Sequence, residues 1–423
     1  MNRELPAAEQ LELFQSILQI NNSYLDWEKV QHMTLKPGTL SNKAIWQAAT
    51  AAREQGPTRK LMIADRLFSW SVPNDMEQVL HDLDVHIVGG RDIAAVMEHK
   101  NNHRYLINAL MDETMTSAQL AGFAVTKKIA RELLLKKKTT ANATEQVLVN
   151  LYKSLQKVKE WEQQPFTEAR LLELHQLLTK DTIQLKGIGR YRTNNKFDSS
   201  GIEEGAAYKA IDAKEIRKWM QWLEMFMNDN KTPFYIHPLI KACIIEYLIT
   251  YIRPFKDANG RMARLLGYWY LLQQGYWVTA YMSVSNVIIK LKAQYHKAFV
   301  QAKHNEDIGY FIHFMLQSIR MAYRSLKDSL QRTNKEKDNN PFVKINGLNI
   351  RQAAALQWIK DDPEKIVTIR ELRSGFGVSK ETARTDLTAL MEKGWLQFYH
   401  LNKKTYAFVK GALFDQLLHE KIS

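Results

Sequence analysis

The residues best suited to chemistry in this chain lie in one stretch, 253–264, which reads RPFKDANGRMAR. An Asn-Gly pair interrupts it, and Arg261 and Arg264, three residues apart, then fall on one face of a helix. The free N–H groups and positive dipole end of that helix, flanked by two guanidinium groups, favour a phosphate chain. Asp257 lies at the preceding turn, where its carboxylate can hold a divalent cation. A helix corner whose charges face water is an equal alternative from the residues alone.

This stretch resembles the signature of the Fic (Fido) family, His-x-Phe-x-Asp/Glu-Gly-Asn-Gly-Arg-x-x-Arg. The matching positions are Phe255, Asp257, Asn259, Gly260, Arg261 and Arg264. Members of the family use ATP to transfer AMP onto a protein hydroxyl, with the histidine as general base and the glycine-rich turn around the diphosphate. The resemblance implies ATP or another nucleotide and Mg²⁺ as cofactors, protein adenylylation (AMPylation) as the family activity, and Asp257 as the metal ligand.

Two positions of the signature depart from the family pattern, so the chain can share the fold of the family without sharing its activity. Arg253 stands where the family has its catalytic histidine, and Ala258 stands at the first glycine of the phosphate-binding turn. A guanidinium group stays charged near neutral pH and has no lone pair, so Arg253 cannot act as a general base. The sequence therefore leaves open whether the chain is an enzyme.

Further upstream, the segment that contains Ser117, Ala121 and Gly122 resembles the inhibitory helix of many Fic proteins, Ser/Thr-x-x-x-Glu-Gly/Asn. In those proteins the glutamate pairs with the last arginine of the signature and blocks productive ATP binding. Here Ala121 takes the place of the glutamate, so the resemblance implies that Arg264 remains free for a phosphate. The alternative is a helix that ends at Gly122 and carries a serine by chance.

Three further elements of the family have counterparts in this chain. Residues 189–192 resemble a Gly-x-Tyr/Phe-Arg element that braces the core, and residues 195–210 correspond to a flap that pins a protein target by strand addition. Tyr295 resembles a tyrosine beside the adenine and ribose of the nucleotide. Glu246 replaces a frequent family histidine on the amphipathic helix before Arg253, and we expect it to offset the charge of Arg253.

Length, charge and cysteine usage set the broad class of the protein. The 423 residues are 45% hydrophobic and 25% charged, which predicts a soluble globular protein of two or three domains. The net charge of +14 suits a polyanionic partner, although a solvated basic surface explains it equally well. A single cysteine, Cys243 in an apolar run, fits a reducing cytoplasm. The N-terminus has no apolar signal core, and polar residues interrupt the apolar run 265–289, so we expect neither secretion nor a membrane span.

The last part of the chain predicts a separate small domain. Three helical patterns and two alternating strands follow a polar stretch and resemble a winged helix-turn-helix. The resemblance implies duplex DNA as a partner, contacted by Ser379, Lys380, Thr382, Arg384 and Thr385 on the recognition helix and by Lys403 and Lys404 on the wing. Winged helices also serve as protein-docking or dimerisation modules, so a homodimer stays open.

These patterns predict a mainly α protein: a Fic-like helical bundle with a small β flap, joined to an α+β winged helix domain. The predicted divisions are an N-terminal helical region at 1–95, like that of some bacterial Fic proteins, a Fic core at 96–330, a linker at 331–345 and the winged helix at 346–423. We favour a regulatory pseudoenzyme that senses a nucleotide and adjusts DNA binding. An active adenylyltransferase, or a related transferase that does not use Arg253 as a base, is the alternative, and a scaffold without either ligand is a third.

Overall fold

A computed structural model gives the fold of most of the chain. It describes residues 5–56, 58–90, 102–136, 139–182, 187–196, 210–228, 232–338, 340–402 and 405–421. The chain divides into two compact units, Met1–Lys327 and Asp328–Ser423. The fold is mainly α, and the strands in the described ranges form two small two-stranded sheets, which confirms the predicted fold class.

The first unit is a helical assembly with one hairpin. In chain order its elements are α1 (Ala7–Asn22), α2 (Trp27–Val30), α3 (Asn42–Gln55), β1 (Arg59–Ile63), β2 (Arg66–Trp70), α4 (Asn74–Leu83), a π-helical turn (Asp84–Val88), α5 (Asn102–Leu120), α6 (Lys127–Lys136), α7 (Ala143–Glu160), α8 (Glu168–Thr179), a 3-10 turn (Ala213–Glu215), α9 (Ile216–Asn228), α10 (Pro238–Ile252), α11 (Asn259–Gln273), a 3-10 turn (Trp277–Tyr281), α12 (Ser285–Lys290), α13 (Lys292–His304) and α14 (Gly309–Asp338). Helix α14 continues past Lys327, the last residue of this unit.

Helices α10 and α11 form the buried centre of the first unit. Every residue of α10 after Pro238 is buried, because this helix is apolar on nearly all sides and such a helix is stable only inside a core. Pro238 is its first residue, as the sequence predicts, and the side chain of His237 caps it by accepting the N–H of Leu239. The helix ends at Arg253, which has left-handed backbone angles (φ 48°, ψ 66°) and precedes a proline.

The hairpin of β1 and β2 was not predicted from the sequence, which indicated only short helices in residues 1–95. The strands pair antiparallel with Ile63 opposite Arg66, so the turn between them has two residues, Ala64 and Asp65. An Ala-Asp turn lacks the Asn-Gly or Asp-Gly signal of a tight hairpin, and Ala64 takes φ 51° without a glycine. The tertiary structure overrides the local turn preference here.

The second unit is a compact helix-turn-helix with a strand hairpin. Its elements are a 3-10 turn (Pro341–Lys344), α15 (Ile350–Asp361), α16 (Ile369–Phe376), α17 (Lys380–Glu392), β3 (Leu396–Asn402), β4 (Thr405–Lys410) and α18 (Phe414–Lys421). Gly377 ends α16 at φ 66°, where glycine avoids the strain of a Cβ, and Ser379 caps α17. One apolar cluster from all these elements, including Phe342, Leu356 and Phe408, forms the core.

The structure bears on two further expectations, a linker at residues 331–345 and the lack of a membrane span. Residues 331–338, predicted as part of a linker, are helical, because Gln, Arg, Lys and Glu favour a helix even where no apolar residue is present. The rest of the predicted linker contains the 3-10 turn Pro341–Lys344. Within the described ranges, none of the helices has both the length and the hydropathy needed to cross a membrane.

Candidate functional site

Arg253 lies at the end of α10, and its backbone is held in place by a second arginine. The side chain of Arg253 is 2% exposed. Its carbonyl oxygen accepts a 2.7 Å hydrogen bond from Nε of Arg192, and the N–H of Arg192 donates to the carbonyl of Pro254 at 2.9 Å. Arg192 therefore has the bracing role that the resemblance of residues 189–192 implied.

His175, on α8, contacts the turn at residues 255–258 that precedes α11, called here the signature turn. This residue was not identified from the sequence. Its ring stacks on the fully buried ring of Phe255, with centroids 3.8 Å apart and planes 8° from parallel. Its Nδ1 accepts the N–H of Gly189 at 3.1 Å, so Nε2 carries the proton and donates to the carbonyl of Asp257 at 3.2 Å. Burial lowers the pKa of His175 to about 4, so the imidazole is neutral at physiological pH.

Asn259 fixes the shape of the signature turn through its side-chain amide. Its Oδ1 accepts the N–H of Phe255 at 3.0 Å, and its Nδ2 donates to the carbonyl of Phe255 at 2.9 Å. Ala258 takes left-handed angles (φ 65°, ψ 14°) at the start of α11, at the position where the family has a glycine. Its N–H donates to the Asp257 carboxylate. The turn thus has the glycine-like conformation even though alanine occupies it.

Arg261 and Asp257, both predicted to contact the nucleotide or its metal, contact each other. Nη2 of Arg261 lies 3.2 and 3.3 Å from the two carboxylate oxygens of Asp257. The guanidinium of Arg261 also lies 5.4 Å from the ring centre of Phe123, and its side chain is almost wholly buried. Across the described ranges, no group of three or more His, Cys, Asp or Glu side chains is placed to hold a metal ion.

Arg264 contacts the helix that resembles the inhibitory element, but through a serine. Its Nε donates to Oγ of Ser117 at 2.8 Å, and its Nη2 donates to the carbonyl of Ser117 at 3.0 Å. The expectation that Arg264 remains free was therefore wrong, because Ser117 takes two of its N–H groups. Helix α5 ends just before Ala121, and Gly122 follows at φ 90°, which suits a glycine.

A cavity of about 60 Å³ borders Arg264 in the first unit. Glu113, Cys243 and Glu246 also line it, together with apolar side chains. Burial is the main reason why the pKa of Glu246 is raised to about 7. The nearby charge of Arg264 lowers this pKa, and that of Glu113 raises it. The expectation that Glu246 offsets Arg253 is not supported, because the charged groups that act on Glu246 are Arg264 and Glu113.

Tyr295, predicted to lie beside adenine and ribose, is 4% exposed on α13. Its ring packs edge-on against Phe311, with centroids 5.5 Å apart, and its hydroxyl lies 3.5 Å from Oε1 of Glu246. In this structure Tyr295 is thus near Glu246.

Four of the seven predicted DNA-contacting residues lie on α17 and a fifth, Ser379, is its N-cap, all within the second unit. Ser379, Lys380, Arg384 and Thr385 are exposed and Thr382 is half-buried. The hydroxyl of Ser379 accepts the N–H of Thr382 at 2.9 Å, and Arg384 pairs with Glu381 at 2.7 Å. Lys403 and Lys404, and residues 197–209 of the predicted flap, lie outside the described residues.

Known domain families match a part of each unit. Residues 165–271, which include the signature stretch, match the Fic/DOC family, and residues 351–400 match the DeoR-like helix-turn-helix domain. Proteins named protein adenylyltransferase Fic are 27% identical over 223 residues in Nematostella vectensis (52% of this chain, 47% of that protein) and 29% identical over 147 residues in Drosophila mojavensis (34% of this chain, 26% of that protein). The chain thus spans under half the length of these curated relatives.

Solved structures show the same fold. A Fic family protein from Desulfovibrio desulfuricans G20 is 22% identical with a TM-score of 0.53, covering 79% of this chain and 96% of that protein. Fic-1 from C. elegans is 15% identical with a TM-score of 0.51, covering 78% of this chain and 86% of that protein. These likenesses show the fold, and the family matches identify a Fic/DOC domain at residues 165–271 and a DeoR-like helix-turn-helix domain at residues 351–400.

Proposed function

We propose that this chain is a regulatory protein whose Fic domain binds the phosphate chain of a nucleotide without transferring AMP, and whose helix-turn-helix domain binds duplex DNA. The observation that carries the proposal is Arg253. It occupies the position of the family histidine, at the buried end of α10, and a guanidinium group only donates hydrogen bonds. The signature residues 255–264 contain no histidine that replaces it.

Support for phosphate binding comes from the start of α11. Arg261 and Arg264 both lie within its first two turns, beside the N-terminal end of the helix dipole. A phosphate chain here replaces Asp257 as the partner of Arg261 and Ser117 as the partner of Arg264. The exchange is favourable because guanidinium groups form strong bidentate hydrogen bonds with phosphate.

Asp257 fits a magnesium ion that is held mainly by phosphates. Mg²⁺ commonly takes only one or two carboxylates from the protein and completes its shell with phosphate oxygens and water. The Asp257 side chain is 24% exposed, and the shift of Arg261 to the phosphates releases its carboxylate. Mg²⁺, when bound, would neutralise phosphate charge, and Asp257 would hold it at the turn.

Arg264→Ala is expected to weaken the binding of ATP with magnesium by roughly 10- to 100-fold, because it removes a charged hydrogen-bond donor from the phosphates. Isothermal titration of the full chain measures the affinity. Arg370→Ala, which removes an exposed arginine from the second unit, is the matched control and should bind ATP like the natural protein. Equal affinities for the Arg264→Ala variant and the natural chain would exclude the phosphate site at this turn.

Arg384→Ala is expected to weaken the binding of the full chain to its DNA site by about tenfold, because Arg384 is exposed on α17 and base contacts of this kind contribute about 1–3 kcal/mol. Fluorescence anisotropy at several salt concentrations measures the affinity, which should fall steeply as salt rises. Glu381→Gln removes the carboxylate that pairs with Arg384 and should not weaken binding. Adding ATP to the same titrations tests the coupling of the two domains, since a nucleotide that adjusts DNA binding must change this affinity.

The second candidate is an active protein adenylyltransferase or a related phosphate-group transferase. It is favoured by the names of the curated relatives, which cover the Fic/DOC domain of this chain. Incubating the natural protein with labelled ATP and cell extract separates the two candidates, because stable transfer of label to protein contradicts the pseudoenzyme.

A further inference from the structure

The cavity beside Arg264 is chemically different from the signature turn. Its walls are mostly apolar, with Leu271, Ile288 and Met315 among the residues that line it. None of residues 253–261 lines it, so a molecule in this cavity does not depend on the turn at the start of α11. The polar groups at its wall are few, which makes the charge balance of the cavity decisive for what it can bind.

Two carboxyl groups and one guanidinium group face the cavity, those of Glu113, Glu246 and Arg264, and their hydrogen bonding differs. The carboxylate of Glu113 accepts hydrogen bonds from Oγ of Ser283 at 2.9 Å and from the N–H of Ser285 at 3.1 Å. Arg264 donates to Ser117, as described above. The cavity thus has two carboxyl groups and one guanidinium group in its wall, an excess of one acidic group.

Glu246 is the acidic group whose hydrogen bonding is incomplete. Its side chain is buried, with 6% of the residue exposed. Among the described residues, the hydroxyl of Tyr295 donates to this carboxylate. The distance to Oε1 is 3.5 Å, which is longer than a normal O–H···O hydrogen bond. A buried carboxylate without adequate donors costs free energy, so a donor placed in the cavity would be bound favourably.

We propose that this cavity is a separate ligand site that takes a small primary ammonium compound with a short apolar chain, whose –NH₃⁺ group pairs with Glu246. The apolar walls accommodate the chain, and the volume of the cavity limits it to a few carbon atoms. The ammonium group supplies three donors in a compact shape and balances the excess acidic charge. The two carboxylates disfavour an anion, so the site differs in charge preference from the phosphate-binding turn.

Ligand binding at this site releases a proton below about pH 7. Burial and Glu113 raise the pKa of Glu246 to about 7, whereas Arg264 and the Tyr295 hydroxyl lower it. The ammonium group pairs with the ionised carboxylate, so affinity rises as the pH increases from about 6 to 8 and then levels off. The titratable and charged groups facing Glu246 are Glu113 from α5, Cys243 from its own helix, Arg264 and Tyr268 from α11, and Tyr295 from α13.

Titration of the full chain with n-butylammonium chloride tests the proposal, with butan-1-ol and sodium butyrate as probes of similar size. Five non-hydrogen atoms give at best micromolar affinity, so the titration extends into the millimolar range and is followed by NMR saturation transfer and calorimetry. We expect butylammonium to bind, with proton release at pH 6.5 seen as a dependence of the heat on the buffer. The alcohol and the carboxylate should bind at least tenfold more weakly.

Two variants test the same contact in different ways. Glu246→Gln keeps the shape of the side chain, removes its charge, and should weaken butylammonium binding by roughly 10- to 100-fold. Gly267→Ala places a methyl group 3.6 Å from Oε2 of Glu246, an ordinary contact that the helix tolerates but that occupies the room of the ammonium group. Glu306→Gln, at an exposed position, is the control and should bind like the natural chain.

Three results would overturn the proposal: no binding of butylammonium, equal binding of butan-1-ol, or unchanged affinity in a folded Glu246→Gln or Gly267→Ala protein. All measurements are made without nucleotide. Arg264 borders both sites, but the variants tested here leave it unchanged, so their failure does not affect the outcome of the ATP titrations of the Arg264→Ala variant.

Discussion

Replacing Arg253 by histidine and Ala258 by glycine in the same chain is expected to raise AMP transfer from ATP by roughly 10²- to 10⁴-fold over the natural sequence. The histidine supplies the lone pair that a guanidinium group lacks, so it can take the proton from a protein hydroxyl. The glycine removes a Cβ at φ 65°, where that atom costs on the order of 1 kcal/mol. Labelled ATP and gel electrophoresis, with and without cell extract, measure the transferred AMP.

Single variants and a matched control separate the two contributions. Arg253→His alone should recover part of the activity, and Ala258→Gly alone should recover none, because it provides no base. Arg253→Gln combined with Ala258→Gly loses the same charge as the double variant without gaining a base, and should remain inactive. A double variant that binds ATP but labels nothing, while Ala121→Glu changes neither binding nor labelling, would mean that Arg253 and Ala121 do not occupy the positions of the family histidine and the inhibitory glutamate.

The contact of Arg264 with Ser117 decides whether the Arg253→His, Ala258→Gly variant must also be released from inhibition. The Ser117 hydroxyl and carbonyl are neutral acceptors. The glutamate in the inhibitory helix of many Fic proteins is instead a charged acceptor. A triphosphate competes more easily with neutral acceptors for a guanidinium group. We therefore expect the double variant to be active without any change at Ala121.

Local sequence signals predicted the elements around the site well. Pro238 marks the start of α10 and Ser379 caps α17, and in both cases the backbone of a few neighbouring residues decides the outcome. The apolar run before Arg253 likewise predicted a buried helix. Such signals are readable because capping and periodicity depend on residues within one or two turns.

Contacts between distant parts of the chain could not be predicted from such local sequence patterns. Arg264 and Ser117 are 147 positions apart, and no local pattern indicates that the serine takes the place of an absent glutamate. Glu246 lies near Arg264 and lines the same cavity, and this placement depends on which face of α10 packs against α11. Because both faces of α10 are apolar, the hydrophobic pattern does not distinguish them.

His175 shows the same limit in a single residue. It lies in the segment Leu-Leu-Glu-Leu-His-Gln-Leu-Leu, where the apolar pattern predicts a helix but gives the histidine no evident partner. Its ring reaches Phe255 and the carbonyl of Asp257 only because α8 packs under the signature turn. The available signal was a histidine on the apolar face of a helix, which indicates burial without revealing what the ring supports.

The neutral, buried state of His175 predicts a loss of stability in mild acid. Its pKa is about 4 in the folded protein and near 6.5 when unfolded, so between these values the unfolded chain binds more protons than the folded one. The free energy of unfolding therefore falls as the pH decreases from about 6.5 to 4, and this residue contributes a loss of about 3 kcal/mol over that window. Above pH 7 its contribution is constant.

His175→Gln tests this directly, because glutamine can still donate to the carbonyl of Asp257 but does not titrate. Urea unfolding of the natural chain and the variant between pH 7.5 and 4 should give curves whose difference narrows by about 3 kcal/mol as the pH falls. His313 is also buried with its pKa lowered to about 4, so only the difference between the two proteins reports on His175. His81→Gln, at an exposed position, is the control. Parallel curves for the natural chain and His175→Gln would show that the pKa of His175 is the same in the folded and unfolded chain, and would contradict a pKa lowered by burial.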